Sequence, residues 1–133
     1  MTQEDKDLLL KDLCARLPYG VKVLYDTQIF EVQYIEPMYG ELKLLDNETY
    51  TLPIEEVKPY LFPLSSMTKE QLYNNPIGFS QMLTIKADRD WENITINRRS
   101  YYKLVDWFNK NHFDYRGLIN RGLALDATGL NIY

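Results

Sequence analysis

The thirteen residues Trp107-Phe108-Asn109-Lys110-Asn111-His112-Phe113-Asp114-Tyr115-Arg116-Gly117-Leu118-Ile119 hold the chain's only histidine, four aromatic rings and an Asp/Arg pair. His112, Asp114 and Arg116 are the residue types of a general base, the acid that orients it and an anion clamp. No nucleophile or second acid stands nearby in sequence, and a working site needs those roles filled. The same residues also suit a corner between two helices, with His112 at the negative end of the first and Asp114 capping the second. The corner is the expectation; an enzyme centred on His112 and Asp114 is kept as an alternative.

Other candidate chemistry is thin. Cys14 shares an apolar helical face with Leu10, where a thiol is core material and inert. Asp88, Asp90 and Glu92 alternate as in a cation-binding loop, but the glycine and distal glutamate of such a loop do not follow, so they read as a solvated acidic turn. One cysteine and one histidine fall short of a zinc ligand set and exclude an internal disulfide. The glycines are scattered, with no phosphate loop and no Gly-x-Ser-x-Gly elbow. The expectation is no catalytic residue, no metal and no cofactor.

The elements around these residues follow from periodicity. Thr2 caps a helix over 3–16, with Leu10, Leu13, Cys14 and Leu17 on one face, and Pro18-Tyr19-Gly20 ends it. From Val21 the apolar period becomes two: Val21–Tyr25, Phe30–Tyr34, Leu42–Leu44 and Thr49–Leu52 read as strands of about five residues or fewer. Glu36-Pro37-Met38-Tyr39-Gly40 is a loop and Asp46-Asn47-Glu48 a tight turn. Ile54-Glu55-Glu56-Val57 is a helical turn, and Pro59 and Pro63 keep the next segment extended. Thr68 and Gln71 make a capping box, with Met67 and Leu72 as its hydrophobic staple, and Asn74-Asn75-Pro76 stops that helix. Met82–Ile85 and Ile94–Ile96 read as two further strands or a meandering connection. Ser100 caps a helix over 101–110 with Tyr101, Leu104, Val105 and Phe108 inward. Asn111 is its left-handed terminator, and Asp114 opens a shorter helix ending near Gly122.

The fold class is therefore α+β in a single domain over 1–133. It comprises an N-terminal helix (1–20), a small SH3-like antiparallel β-barrel or curled sheet (21–64) and a helical C-terminal part (65–133).

Charge is uneven. The chain carries 15 Lys/Arg and 19 Asp/Glu, a net −4, with a pI near 5.0. Yet residues 98–121 hold six basic side chains (Arg98, Arg99, Lys103, Lys110, Arg116, Arg121) against two acids. Such a block either meets an anion or packs on the acidic half. A nucleic-acid-associated protein using Arg98, Arg99, Lys103, Arg116 and Arg121 is one alternative, set against the acidic pI. No stretch approaches the roughly 20 apolar residues of a membrane span, and Leu8-Leu9-Leu10 is too short and too acidic in its flank for a signal peptide. A cytoplasmic protein without a membrane partner is expected.

Three pieces, Leu13-Cys14-Ala15-Arg16-Leu17-Pro18-Tyr19-Gly20-Val21, Val57-Lys58-Pro59-Tyr60-Leu61-Phe62-Pro63-Leu64-Ser65-Ser66-Met67-Thr68 and Asn111-His112-Phe113-Asp114-Tyr115-Arg116-Gly117-Leu118-Ile119, resemble an uncharacterised family of short proteins from gut-bacterial chromosomes, mobile elements and phages. The resemblance spans both ends and the middle of the chain but not residues 76–98. It implies a source context and a small accessory or regulatory role, with no activity and no catalytic residue.

Eleven tyrosines suit half-buried surfaces and interfaces. The expected function is a non-enzymatic protein-interaction module with a protein partner. Its contact residues are Tyr19, Tyr39, Tyr60 and Phe62, in loops or proline-rich segments, together with Tyr115, Arg116 and Arg121 at the corner.

Overall fold

The computed structural model describes residues 1–36, 41–44, 47–87, 91 and 95–133. The Glu36–Gly40 loop with Tyr39, Asp46 of the expected turn, and Asp88, Asp90 and Glu92 of the acidic turn fall wholly or partly outside these residues.

Helix α1 spans Gln3–Arg16, and the Thr2 hydroxyl accepts the Asp5 N–H at 3.1 Å as expected. Its buried residues are Leu9, Asp12, Leu13 and Arg16; of the expected face Leu13 is buried, while Leu10 and Leu17 pack half-buried at its margin. Cys14 is exposed, which corrects its placement in the core. The physical reason is that Asp12 and Arg16 neutralise each other one turn apart and enter the interior as a pair. An apolar pattern read without them is turned by about one residue, or 100°.

A 3-10 turn over Leu17–Tyr19 ends at Gly20, whose φ is 76°. Strands β1 (Lys22–Tyr25) and β2 (Gln28–Glu36) form a hairpin in register Val23↔Phe30, and Asp26 and Thr27 at its tip both have positive φ, 45° and 69°. This is the turn that Asn-Gly fills without strain, and a β-branched Thr27 pays for its place there. Thr27→Gly is expected to raise stability by about 0.5–1 kcal/mol in urea melts, and an unchanged midpoint would refute the strain.

Strands β3 (Glu41–Leu44) and β4 (Asn47–Pro53) continue the antiparallel run, with Asn47 already inside β4, where a turn was expected. After a 3-10 turn over Ile54–Glu56, β5 (Lys58–Leu61) pairs antiparallel with β1. Its other edge takes β6 (Leu125–Asp126) in parallel. The order is β4-β3-β2-β1-β5-β6, so the sheet is mixed and is not closed into a barrel. The expected antiparallel module over 21–64 is thus completed by a strand from the C-terminal part. Helices and sheet together make the chain α+β.

Beyond the sheet, α2 (Lys69–Tyr73) starts with the expected capping box: the Thr68 hydroxyl accepts from Gln71 N–H, and the Gln71 side chain accepts from Thr68 N–H. The segment around Met82–Ile85, read as a strand or a meandering connection, is helix α3 (Phe79–Ala87). Met82 and Ile85, three apart, are buried on one side, a spacing that a four-residue apolar run leaves ambiguous. Helix α4 spans Arg98–Lys110 with Asn97 as its cap, accepting from Ser100 N–H at 2.9 Å, so it begins a turn before the expected Ser100 cap. The expected second helix over 114–122 is a run of turns, because Gly117 and Gly122 both take positive φ and interrupt helical pairing.

Two cores result. α1 packs on the sheet through Leu9, Leu13, Val21, Val23, Leu52 and Leu61. α2–α4 surround Met67, Met82, Trp91, Leu104, Phe108 and Phe113. Among the described residues no helix is long and apolar enough to cross a membrane.

Candidate functional site

The expected corner lies at the junction of these two cores. Helix α4 ends in a Schellman arrangement: Phe113 N–H donates to the Phe108 carbonyl at 2.9 Å and His112 N–H to Asn109 at 3.2 Å. The left-handed residue is His112, with φ 62°, one position after the expected Asn111. Phe62 N–H then donates to the His112 carbonyl and Asp114 N–H to the Phe62 carbonyl, both at 2.8 Å, tying the corner to the end of β5.

His112, Asp114 and Arg116 each turn to a different partner. The imidazole stacks on Tyr133, with ring centroids 3.5 Å apart and planes 10° from parallel. Its Nδ1 is buried without a hydrogen-bond partner among the described residues. Burial first, then the cations of Arg16 and Lys22, lowers the His112 pKa to about 4, so the ring is neutral at pH 7. Asp114 accepts the N–H groups of Leu118 (2.8 Å) and Ile119 (2.9 Å), organising the turns that replace the expected helix. Burial raises its pKa despite those two donors. Arg116 reaches back 104 residues to Asp12 at 2.8 Å.

Asp12 and Arg16 form the centre. The Arg16 guanidinium, fully buried, donates through Nε and Nη2 to Asp12 (2.7 and 3.1 Å) and through Nη2 to the Phe113 carbonyl at 2.6 Å. Arg16 and Arg116 both lie over the Tyr115 ring, at 5.3 and 4.6 Å from its centroid. Neither Asp12 nor Arg16 stood out from sequence, although their i, i+4 spacing was the available signal. Trp91 was also missed; it donates from Nε1 to the Tyr115 carbonyl at 2.9 Å and packs edge-on against Phe108.

The C-terminal Tyr133 is a second nonlocal tie. Its hydroxyl accepts from Lys22 N–H at 3.0 Å and donates to the Tyr60 carbonyl at 2.8 Å. It therefore bridges β1 and β5 one step beyond their paired residues, Val23↔Pro59. Burial pushes its phenol up to about 12.

The contact residues expected from sequence do not form one surface. Tyr60 and Tyr115 are buried, because β5 lies between β1 and β6 and Tyr115 between two arginines and Phe108. Phe62 is half-buried against Phe113 and Tyr133. Tyr19 is half-buried, its hydroxyl donating to Asp106, and Tyr39 lies outside the described residues. Arg121 pairs with Asp5 at 2.9 Å and with Glu4 at 3.5 Å. Arg116 and Arg121 thus pack on the acidic N-terminal helix, whereas Arg98, Arg99 and Lys103 are exposed without an ion pair among the described residues.

Two further features open to solvent stand out among the described residues. A half-open cleft of about 690 Å³ is lined by Ser65, Lys86, Trp91, Asp114, Tyr115 and Asn120. The chain itself occupies much of its polar capacity: Lys86 donates to the Met67 carbonyl at 2.7 Å, and the Asp114 oxygens hold backbone N–H groups. The second feature is apolar: Tyr73 (61% exposed), Phe79 (37%) and Leu83 (45%) project from α2 and α3, the two rings stacked at 4.6 Å. No protein-family model matches the chain, and neither a curated protein nor a solved structure matches it.

Proposed function

We propose that this chain is a non-enzymatic protein-interaction module that docks a protein partner on the outer face of α2–α3. The observation that carries the reading is the stacked Tyr73–Phe79 pair, extended by Leu83 one turn along α3 and left open to solvent. Residues 71–85 contain no charged side chain at all, in a chain that is 26% charged. Aromatic enrichment with charge depletion is what separates the centre of an interface from ordinary surface. The exposed neighbours Asn74, Ser80, Gln81 and Thr84 supply a neutral polar rim. An enzyme at His112 and Asp114 has less support, since the imidazole is stacked away and the carboxylate is bound to backbone. An SH3-like path for β1–β5, cytoplasmic residence and a place among accessory proteins of phage or mobile-element origin belong to the same proposal.

The test is site-specific photo-crosslinking in cells that produce the protein natively. A benzophenone side chain at Tyr73 or Leu83 is expected to give one discrete adduct, abolished by Phe79→Glu. A probe at exposed Asp7 on α1 serves as control. No adduct at either position, or the same adduct from Asp7, overturns the reading.

A further inference from the structure

We propose that the exposed stripe of α4 built by Arg98, Arg99, Tyr102, Lys103 and Lys110 is a docking surface for single-stranded nucleic acid. This surface is separate from the apolar face of α2–α3 and does not depend on it.

The argument starts from spacing. Arg98 lies four residues and Arg99 three residues before Tyr102, so both flank the ring one turn away; Lys103 is four beyond Arg99, and Lys110 continues the row two turns on. All five are exposed, and Tyr102, at 64%, is the most open aromatic side chain among the described residues. Its ring centroid lies 6.1 Å from that of Tyr101, with the two planes 72° apart in a T-shaped contact. An open phenol among three cations combines a platform for a base with charges for the phosphates on either side.

Lys110, in the last turn, suits the helix dipole, but helix stability does not account for Arg98, Arg99 and Lys103. Arg98 and Arg99 stand in the first turn, at the positive end of the helix dipole, and that turn holds no acid. Arg99 and Lys103 repel each other at i, i+4. The other two arginines of the basic segment, Arg116 and Arg121, have carboxylate partners on α1, while none of these does among the described residues. The stripe includes one acid, Asp106, whose carboxylate accepts the Tyr19 hydroxyl.

Single strands fit better than duplex because a lone exposed ring needs an unstacked base face, which a duplex does not offer. The net −4 of the chain, concentrated outside this stripe, repels a polyanion elsewhere and orients it toward α4.

Fluorescence anisotropy with the full chain tests this. A labelled oligothymidylate of about 15 nucleotides is expected to bind at micromolar concentration in about 50 mM salt, with a log–log salt slope of about −2 to −3 from four cations. Arg99→Glu with Lys103→Glu should weaken it at least about tenfold. Tyr102→Ala should weaken it at least about fivefold while Tyr102→Phe preserves it, since the phenyl ring still stacks. All these side chains are exposed, and circular dichroism of each variant verifies the fold. No binding at about 100 μM protein overturns the proposal, as does binding that the charge reversal leaves intact. Equal affinity for heparin together with an inert Tyr102→Ala overturns it too, by reducing the stripe to a cation patch.

Discussion

Asp12→Ala is expected to lose about 3–5 kcal/mol of stability in urea denaturation, the cost of leaving a buried charge without its partner. Among the described residues Asp12 is the only carboxylate hydrogen-bonded to Arg16, which has no exposure to water and would keep there only the Phe113 carbonyl. Arg116 loses the same partner, but its side chain is partly exposed and water can replace Asp12 there. Against a typical total of 5–15 kcal/mol, such a loss unfolds a large share of the molecules on warming. The double change Asp12→Leu with Arg16→Met removes both charges and should recover most of the loss, because apolar side chains of similar volume substitute well for buried ion pairs. A loss below about 1 kcal/mol in Asp12→Ala would mean that Arg16 reaches solvent and that α1 does not pack as described.

The second large effect is in acid. His112 has a pKa near 4 in the folded protein against 6.5 for the free side chain. The unfolded chain therefore binds the extra proton first. Stability from the neutral ring is fully present above pH 6.5 and is lost as pH falls toward 4. At 1.36 kcal/mol per pKa unit the change amounts to about 3 kcal/mol. Burial of the ring, with Tyr133 stacked on its face, sets the sign, and the cations of Arg16 on α1 and Lys22 on β1 add to it by repelling a second positive charge. Asp114 acts in the opposite sense, because its raised pKa favours the folded state as its carboxylate protonates. Subtracting a His112→Asn variant, whose asparagine tolerates the left-handed backbone, cancels Asp114 and the other carboxylates. The stability difference between wild type and variant should shrink by about 3 kcal/mol between pH 6.5 and 4. A difference that stays flat with pH, or an imidazole proton resonance titrating near 6.5, would show that the ring is not buried as described.

Much of the backbone was legible because its signals are local. The Thr2 cap, the Thr68–Gln71 box with its Met67 and Leu72 flanks, the break at Pro18–Gly20, and the alternation through β1–β4 each join residues within about five positions or repeat with period two. Errors arose where one local pattern had two solutions. The apolar run at Met82–Ile85 is too short to separate a strand from a helix, and Gly117 gave no sign that its φ would be positive and end the expected helix. The corner was recognised as structural, but its partners were not: Asp114 accepts the Leu118 and Ile119 N–H groups of a run of turns where a helix cap was expected, and the imidazole stacks on Tyr133 from the C-terminal segment.

By itself, then, the sequence determined the α+β class, the caps and stops of α1 and α2, the four strands β1–β4 along the chain and the basic character of 98–121. Those properties depend on backbone preferences and on hydrogen bonds between near neighbours. Only the tertiary structure decided which face of α1 is buried, that β6 pairs in parallel with β5, that Tyr133 bridges Lys22 and Tyr60, and which arginines are neutralised. The physical reason is separation: the Arg116–Asp12 contact joins residues 104 apart and the Tyr133–Lys22 contact residues 111 apart. A buried charge is tolerable only where its partner arrives, and that arrival is a property of the whole packed chain.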